Sequence, residues 1–227
     1  MTPAETWSQK KLGYRFNTPE LLTQALTHKS RSSLNNERME FLGDALLGLT
    51  IAEALYKQEE SLDEGALSRL RASLVRRETL AEIAAELGLG DVLLLGGGES
   101  RSGGHHRQSI MADALEAVFG AIYLDQGFTA AAQIIRNVYG TRLEELPNAQ
   151  DIKDPKTLLQ EQLQADGLAV PDYDVLTEEG PAHSRSFTVR CSIIAYGIET
   201  TGEASSRRGA EQVAAAEALE RLNERDK

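Results

Sequence analysis

The sequence has one cysteine, few aromatic residues and no long apolar run, and these scarcities exclude several classes of protein. Cys191 has no second cysteine with which to form a disulfide, and a lone thiol cannot build a zinc–cysteine cluster. No stretch reaches the roughly 18 consecutive apolar residues of a membrane-spanning helix. Residues 1–11 are polar and lack the apolar core of a signal peptide. We therefore predict a soluble, cytoplasmic protein that has no membrane partner and keeps Cys191 in its core.

Basic residues are also scarce. The chain has 24 Lys and Arg against 35 Asp and Glu, which gives a net charge of −11. Because binding to nucleic-acid phosphates needs clustered Lys and Arg, this composition alone argues against a nucleic-acid-binding protein. Any such function must depend on the local arrangement of a few basic side chains.

The chain is organised around NERMEFLGDALLGL, residues 36–49, which begins a predicted helix that continues to about residue 56. At about 100° per residue, Glu37, Glu40 and Asp44 share one face. The other positions are mostly apolar, a pattern typical of a buried helix. Buried carboxylates are costly unless they are neutralised, and only Arg38 is close in sequence. We infer that a divalent cation supplies the missing positive charge.

A second apolar helix, predicted over residues 110–124, repeats this pattern. Asp113 and Glu116 are three residues apart and share a face. Ligands that are all oxygen atoms suit Mg²⁺ or Mn²⁺ rather than zinc. The alternative is that each set of acids merely complements the positive end of its own helix. Because both helices carry such acids and few Lys or Arg residues lie near them in sequence, we favour a shared cation site.

The pattern of predicted elements changes near the middle of the chain. Residues 1–146 contain predicted helices only, whereas residues 147–153 are polar and aperiodic and are typical of a linker. Residues 154–225 follow the order α-β-β-β-α, with alternating apolar residues in the second strand. We therefore predict an α+β protein with an all-α domain over 1–146 and a small α-β-β-β-α domain over 154–225.

Several motifs resemble those of known proteins. The segment ERMEFLGD, residues 37–44, is similar to the signature of the ribonuclease III family. The similarity extends to KLGYRF (11–16), ALTHKS (25–30), DEG (63–65) and DALEA (113–117). The segments DPKTLLQE (154–161), GPAH (180–183) and SSRRGAEQ (205–212) resemble a double-stranded-RNA-binding domain. The resemblance covers almost the whole chain, in the order of the family.

The resemblance implies a homodimeric, Mg²⁺-dependent endonuclease that hydrolyses double-stranded RNA, with Mn²⁺ as a possible substitute. The positions matching the family's metal ligands are Glu40, Asp44, Asp113 and Glu116, of which Asp44 and Glu116 are the expected catalytic pair. Glu37 and Glu64 match auxiliary acids, and Phe41 matches a dimer-interface residue. Two ions about 4 Å apart can stabilise the attacking and leaving oxygens of a phosphodiester. The implied products have 5′-phosphate and 3′-hydroxyl ends with two-nucleotide 3′ overhangs, and the implied substrates are ribosomal RNA precursors and other structured RNAs.

The same resemblance implies a set of RNA contacts in the second domain. The matching positions are Thr157, Gln160, Glu161, His183, Arg207 and Arg208. Two positions depart from the family's pattern. Gly209 stands where the family often has a third basic residue, and Ala204 stands where it often has a glycine. Residues 154–227 carry 8 Lys and Arg against 14 Asp and Glu, a net of −6. We therefore expect RNA binding that is weak and steeply dependent on salt.

Two other functions are compatible with parts of the sequence. One is a non-catalytic double-stranded-RNA-binding protein built on a nuclease-like scaffold, and the other is a metal-dependent hydrolase of a small phosphate ester. The four acids argue against a scaffold, which has no use for them. The RNA-binding pattern of the second half argues against a small substrate.

Overall fold

The computed structural model describes residues 1–146, 154–181 and 184–225. They form two compact units, Met1–Ile152 and Lys153–Lys227. The first unit is helical, and the second combines two helices with a three-stranded sheet. The predicted α+β class is thus confirmed, whereas the predicted linker, residues 147–153, lies outside the described residues. Within the described part of the chain, no helix has both the length and the apolar character needed to cross a membrane.

Eight helices build the described part of the first unit. They are α1 (Pro3–Trp7), α2 (Pro19–Ala25), α3 (Glu37–Gln58), α4 (Glu64–Val75), α5 (Arg77–Glu86), α6 (Gly97–Arg101), α7 (Gln108–Tyr139) and α8 (Thr141–Glu144). A π-helical turn, Ser8–Leu12, continues α1. The 3₁₀ turns Leu89–Val92 and Gly104–His106 flank α6. The long α7 bends at Gly127, whose φ of +80° is accessible to glycine at little cost.

The centre of this unit is the crossing of α3 and α7. At that crossing, a Cβ atom on Gly43 would overlap the carbonyl oxygen of Glu116, and one on Gly120 would overlap the carbonyl oxygen of Met39. A glycine within a helix costs about 1 kcal/mol relative to alanine. Here it allows the two backbones to touch, and this contact sets the relative positions of the acidic faces of α3 and α7.

The prediction that α3 is buried on nearly all sides is wrong. Its inner face is buried, but Phe41 is 80% exposed, Leu49 57% and Tyr56 75%. Ala45 is also exposed, and these four residues follow one another at close to helical spacing. We call them the α3 stripe. Apolar periodicity shows that a face prefers to avoid water, but it does not show whether this chain or another covers that face.

The second unit has the predicted α-β-β-β-α order. Its elements are α9 (Pro155–Ala165), β1 (Asp172–Glu179), β2 (Ser186–Ile193), β3 (Ile198–Ala204) and α10 (Arg207–Arg225). The strands form an antiparallel sheet in the order β1-β2-β3, with Val189 opposite both Val175 and Gly202. Val189, Cys191 and Ile193 alternate toward the core, and Cys191 is fully buried, as predicted.

Candidate active site

Three carboxylates meet where α3 crosses α7. Glu40, Asp113 and Glu116 each present an oxygen atom, and these oxygens all lie within 4.8 Å of one another. All three side chains are half-buried. Asp113 and Glu116 lie one turn apart on α7, and Glu40 lies one turn before Gly43 on α3. The helix crossing therefore brings together acids that are distant in sequence.

The acids of this cluster hold their protons unusually tightly. Burial, followed by the charges of Asp44 and Glu40, raises the pKa of Glu116 to about 8. Burial and the charge of Asp113 raise the pKa of Glu40, and burial also raises the pKa of Asp113. Arg77 opposes the shift at both α7 acids but does not offset it. Half-buried carboxylate oxygens with too little compensating positive charge are the donor set of a hard divalent cation, so the residues fit Mg²⁺ or Mn²⁺.

Asp44 is placed differently from the other predicted ligands. It is exposed, one turn after Glu40 on α3, and it is not part of the three-acid group. Its charge is nevertheless the largest electrostatic contribution to the raised pKa of Glu116. Asp44 thus lies beside the group, and its role as a ligand stays a prediction.

The two auxiliary acids also lie outside the three-acid group. Glu37 accepts hydrogen bonds from Lys29 Nζ at 3.1 Å and from Asn35 Nδ2 at 3.3 Å, and the bond from Lys29 lowers its pKa. Glu64, in the first turn of α4, accepts a hydrogen bond from the Ser68 hydroxyl at 2.8 Å. Both side chains are exposed, and their auxiliary roles stay predictions.

Four further residues near this site are not among those that the sequence predicts. Lys29 and Arg77 both lower the pKa of Asp113, so they lie close enough to the acids to act on them. Nothing in the sequence pattern places them there, because they reach the site only through tertiary structure. Gly43 and Gly120 did leave a signal, since a glycine inside an otherwise strong helix usually has a packing reason.

In the second unit, the N-terminal ends of α9 and α10 border a cleft of about 490 Å³. We call it the α9–α10 cleft. Its lining residues are Asp154, Lys156, Thr157, Gln160, Arg207, Arg208, Glu211 and Gln212. Four of the six predicted RNA-contact residues thus line one cleft. Glu161 is exposed on α9 next to Gln160, and His183 lies outside the described residues.

The two departures from the family pattern meet at the edge of this unit. A Cβ atom on Gly209 would lie 3.0 Å from the Ala204 Cβ, closer than side chains ordinarily pack. The methyl group of Ala204 thus occupies space next to residue 209. A lysine or arginine at position 209 therefore requires Ala204 to shift or to be replaced by glycine.

Replacing Glu116 by glutamine is expected to stabilise the metal-free protein at alkaline pH. With a pKa of about 8 instead of the ordinary 4.5, folded Glu116 keeps a proton that the unfolded chain loses. The contribution of Glu116 to the free energy of unfolding is therefore fully present below about pH 4.5 and is lost as the pH rises toward 8. At pH 9 in EDTA we expect the Tm of Glu116→Gln to exceed the wild-type value by about 5 °C.

Thermal denaturation in EDTA at pH 5 and at pH 9 measures this difference. At pH 5 the two proteins are expected to melt together, and adding Mg²⁺ at pH 9 should raise only the wild-type Tm. Equal melting temperatures at both pH values in EDTA would contradict the assigned burial of Glu116.

Comparison with known proteins adds two family matches. Residues 18–143 match the family described as Ribonuclease-III-like, and residues 155–222 match the double-stranded RNA binding motif. The chain is 51% identical over 217 residues to Ribonuclease 3 of Alkalilimnicola ehrlichii, covering 96% of this chain and 95% of the relative. It is 52% identical over 214 residues to Ribonuclease 3 of Chromobacterium violaceum, covering 94% of this chain and 91% of the relative.

A solved structure also resembles the first unit. The nuclease domain of ribonuclease III from Campylobacter jejuni superimposes with a TM-score of 0.60 at 44% sequence identity, covering 61% of this chain and 98% of that chain. A second structure of the same domain gives a TM-score of 0.61 at 41% identity, covering 64% of this chain and all of that one. The helical architecture around the acidic cluster is therefore shared with a nuclease domain.

Proposed function

The chain belongs to the ribonuclease III family and is an endoribonuclease acting on double-stranded RNA, and on this premise we propose how it cuts. The proposed reaction is metal-dependent hydrolysis of the phosphodiester at the α3–α7 crossing. The observation that carries the proposal is the three-acid group of Glu40, Asp113 and Glu116, whose oxygens lie within 4.8 Å of one another. Asp44, exposed beside the group, is the proposed fourth ligand.

The metal and the side chains have separate tasks in this proposal. When bound, Mg²⁺ ions polarise the phosphodiester, lower the pKa of the attacking water and offset charge on the leaving oxygen, and Mn²⁺ can replace them. The carboxylates hold the cations, so a binding cation must displace the proton that metal-free Glu116 holds with a pKa raised to about 8. The proposed nucleophile is water, because a water activated by the cations needs no nucleophilic side chain.

The second unit is proposed to hold the duplex. Double-stranded RNA is recognised by shape, through the 2′-hydroxyls of two minor grooves and the phosphates between them, over about 16 base pairs. Thr157, Gln160 and Glu161 on α9 are assigned to one minor groove, and His183 to the next. Arg207 and Arg208 are assigned to phosphates, which the positive end of the α10 dipole also favours. The shared lining of the α9–α10 cleft supports the assignment of Thr157, Gln160, Arg207 and Arg208. The assignment of Glu161 and His183 rests on the sequence resemblance.

A second copy of the chain is proposed to cover the α3 stripe. Large exposed apolar residues arranged in a row on one helix are typical of an interaction surface. The similar Campylobacter jejuni nuclease domain is described as having a region involved in dimer formation. In the proposed homodimer each subunit cuts one strand of the duplex, and Phe41, exposed by 80% in the single chain, lies at the interface.

Phe41→Asp is expected to give a monomer that no longer makes staggered double-strand cuts. A charge buried between two apolar helices is strongly unfavourable, and we expect the dimer dissociation constant to rise at least about a hundredfold. Light scattering coupled to gel filtration measures the mass. Leu124→Asp is the control, because Leu124 is also exposed, by 51%, but lies on α7 outside the stripe. A Phe41→Asp dimer of wild-type stability would refute the interface.

Product ends test the proposed reaction. The wild-type protein is incubated with Mg²⁺ and either a long perfect RNA duplex or one of its strands alone, and both ends of each product are sequenced. The expected outcome is cleavage of the duplex only, with 5′-phosphates, 3′-hydroxyls and two-nucleotide 3′ overhangs. Blunt products, 3′-phosphates or preferred cleavage of the single strand would overturn the proposal. Ribosomal RNA precursors and other structured RNAs are the proposed natural substrates.

A further inference from the structure

Four side chains form a chain of contacts from the sheet to the edge of the α9–α10 cleft. The Lys156 ammonium lies 4.3 Å from the centre of the Tyr173 ring and donates a hydrogen bond to Glu211 Oε2 at 2.6 Å. The other oxygen of Glu211, Oε1, accepts a hydrogen bond from Arg207 Nε at 3.0 Å. Glu211 therefore links a basic residue of α9, Lys156, to a basic residue of α10, Arg207.

Of the three charged side chains, Glu211 is the most buried and Arg207 the most exposed. The Glu211 side chain is 12% exposed, that of Lys156 33% and that of Arg207 63%. A carboxylate this deeply buried is tolerated only when it is paired, and here each of its oxygens has a basic partner. The hydrogen bond from Lys156 lowers the pKa of Glu211, which keeps the carboxylate ionised at neutral pH.

We propose that Glu211 is a positioning residue that orients Arg207 toward a phosphate of the RNA, and that Lys156 anchors Glu211 instead of contacting RNA itself. This inference rests on the proposed assignment of Arg207 to a phosphate. Glu211 is an acid at an RNA-binding cleft, where charge alone predicts an unfavourable effect on binding.

The chemistry of the two bases supports these different roles. A guanidinium has five N–H donors in one plane, so a hydrogen bond at Nε fixes the plane while the terminal nitrogens can still donate to two phosphate oxygens. An ammonium is a point charge with no such plane. Lys156 is held from two sides, by a carboxylate and by the face of an aromatic ring. Its backbone N–H also donates to Gln212 Oε1 at 3.1 Å, which fixes the start of α9 against α10.

The test is the affinity of the full chain for a short RNA duplex in EDTA, measured by fluorescence anisotropy over a range of salt concentrations. Glu211→Gln keeps the shape of the side chain and makes the protein less negative. Simple electrostatics therefore predicts tighter binding, whereas we expect binding about fivefold weaker. The slope of log affinity against log salt is expected to shrink by about one phosphate contact, and the same reduction is expected for Arg207→Ala.

Two further variants make the test specific. Glu217→Gln is the matched control, because Glu217 is also on α10 and pairs with an arginine four residues away, Arg221. It is expected to bind RNA like the wild type or slightly more tightly. In the double variant Arg207→Ala with Glu211→Gln, the second change is expected to cause no further loss, since its effect is transmitted through Arg207.

Binding by Glu211→Gln that equals or exceeds wild-type binding would overturn the inference. So would wild-type affinity in Arg207→Ala, although continued duplex cleavage would then leave the proposed function standing. Should Glu211→Gln fold poorly, Lys156→Met replaces it, because its apolar stem can still pack on Tyr173 while Glu211 loses its anchor. Lys156→Met alone is expected to weaken RNA binding as Glu211→Gln does, and wild-type binding would overturn the inference. Added to Arg207→Ala it is expected to cause no further loss, and a salt slope smaller by one more contact would show that Lys156 touches phosphate itself.

Discussion

Glu116→Gln is expected to slow duplex cleavage at least about a thousandfold without weakening duplex binding. Glutamine has the shape of glutamate but cannot supply a negative charge to a cation. Glu116 has the most strongly raised pKa of the cluster, about 8, which marks it as the site where positive charge is most needed. Single-turnover cleavage in Mg²⁺ and anisotropy in EDTA measure the two quantities separately.

The matched control for this loss is Glu53→Gln. Glu53 lies on the same helix, α3, as Glu40, but it forms an exposed ion pair with Lys57 at 2.6 Å. Exposed pairs of this kind contribute little, so cleavage is expected to be unchanged. Asp44→Asn extends the test to the exposed acid, and a large loss of cleavage would assign it to the site. Unimpaired cleavage by Glu116→Gln would show that cleavage does not depend on the acidic cluster.

Gly43→Val is expected to destabilise the protein by about 3 kcal/mol or more and to abolish cleavage. A Cβ at this position would overlap the carbonyl oxygen of Glu116. The two helices must therefore separate, which moves Glu40 away from Asp113 and Glu116. Urea denaturation measures the free energy of unfolding, and duplex cleavage reports the geometry of the acids.

A glycine five residues further along the same helix provides the control. A Cβ at Gly48 meets no atom within 4 Å. Gly48→Ala is therefore expected to stabilise the protein by about 0.5–1 kcal/mol, through helix propensity alone. If Gly43→Val and Gly48→Ala had similar effects on stability, the close crossing at Gly43 would be wrong.

The net negative charge of the second unit is not concentrated at the α9–α10 cleft, whose lining has two acids, Asp154 and Glu211, beside three basic residues, Lys156, Arg207 and Arg208. Asp174 and Glu203 are on the outer strands, where they pair with Arg190 at 2.9 Å and with the Ser186 hydroxyl at 2.8 Å. Neither lines the α9–α10 cleft. Net charge averages over surfaces with different roles, whereas binding depends on the local field.

The sequence predicted those features that depend on local spacing. The shared face of Asp113 and Glu116, the alternation that buries Cys191 and the change from helices to an α-β-β-β-α order all follow from the periodicities of helix and strand. Features that depend on tertiary contacts were not predictable in the same way. The exposure of Leu49 and Tyr56, the separate placement of Asp44 and the link from Lys156 through Glu211 to Arg207 appear only once the helices are packed.

The most direct test of the account is cleavage of a long perfect RNA duplex by the wild-type protein, first in EDTA and then after excess Mg²⁺ is added. The account predicts intact duplex in EDTA and short duplex products soon after Mg²⁺ is added. Duplex that is bound but never cut in Mg²⁺ would contradict it and favour a non-catalytic RNA-binding protein. Equal cutting in EDTA would show that the reaction does not use the carboxylates of the α3–α7 crossing to hold a metal.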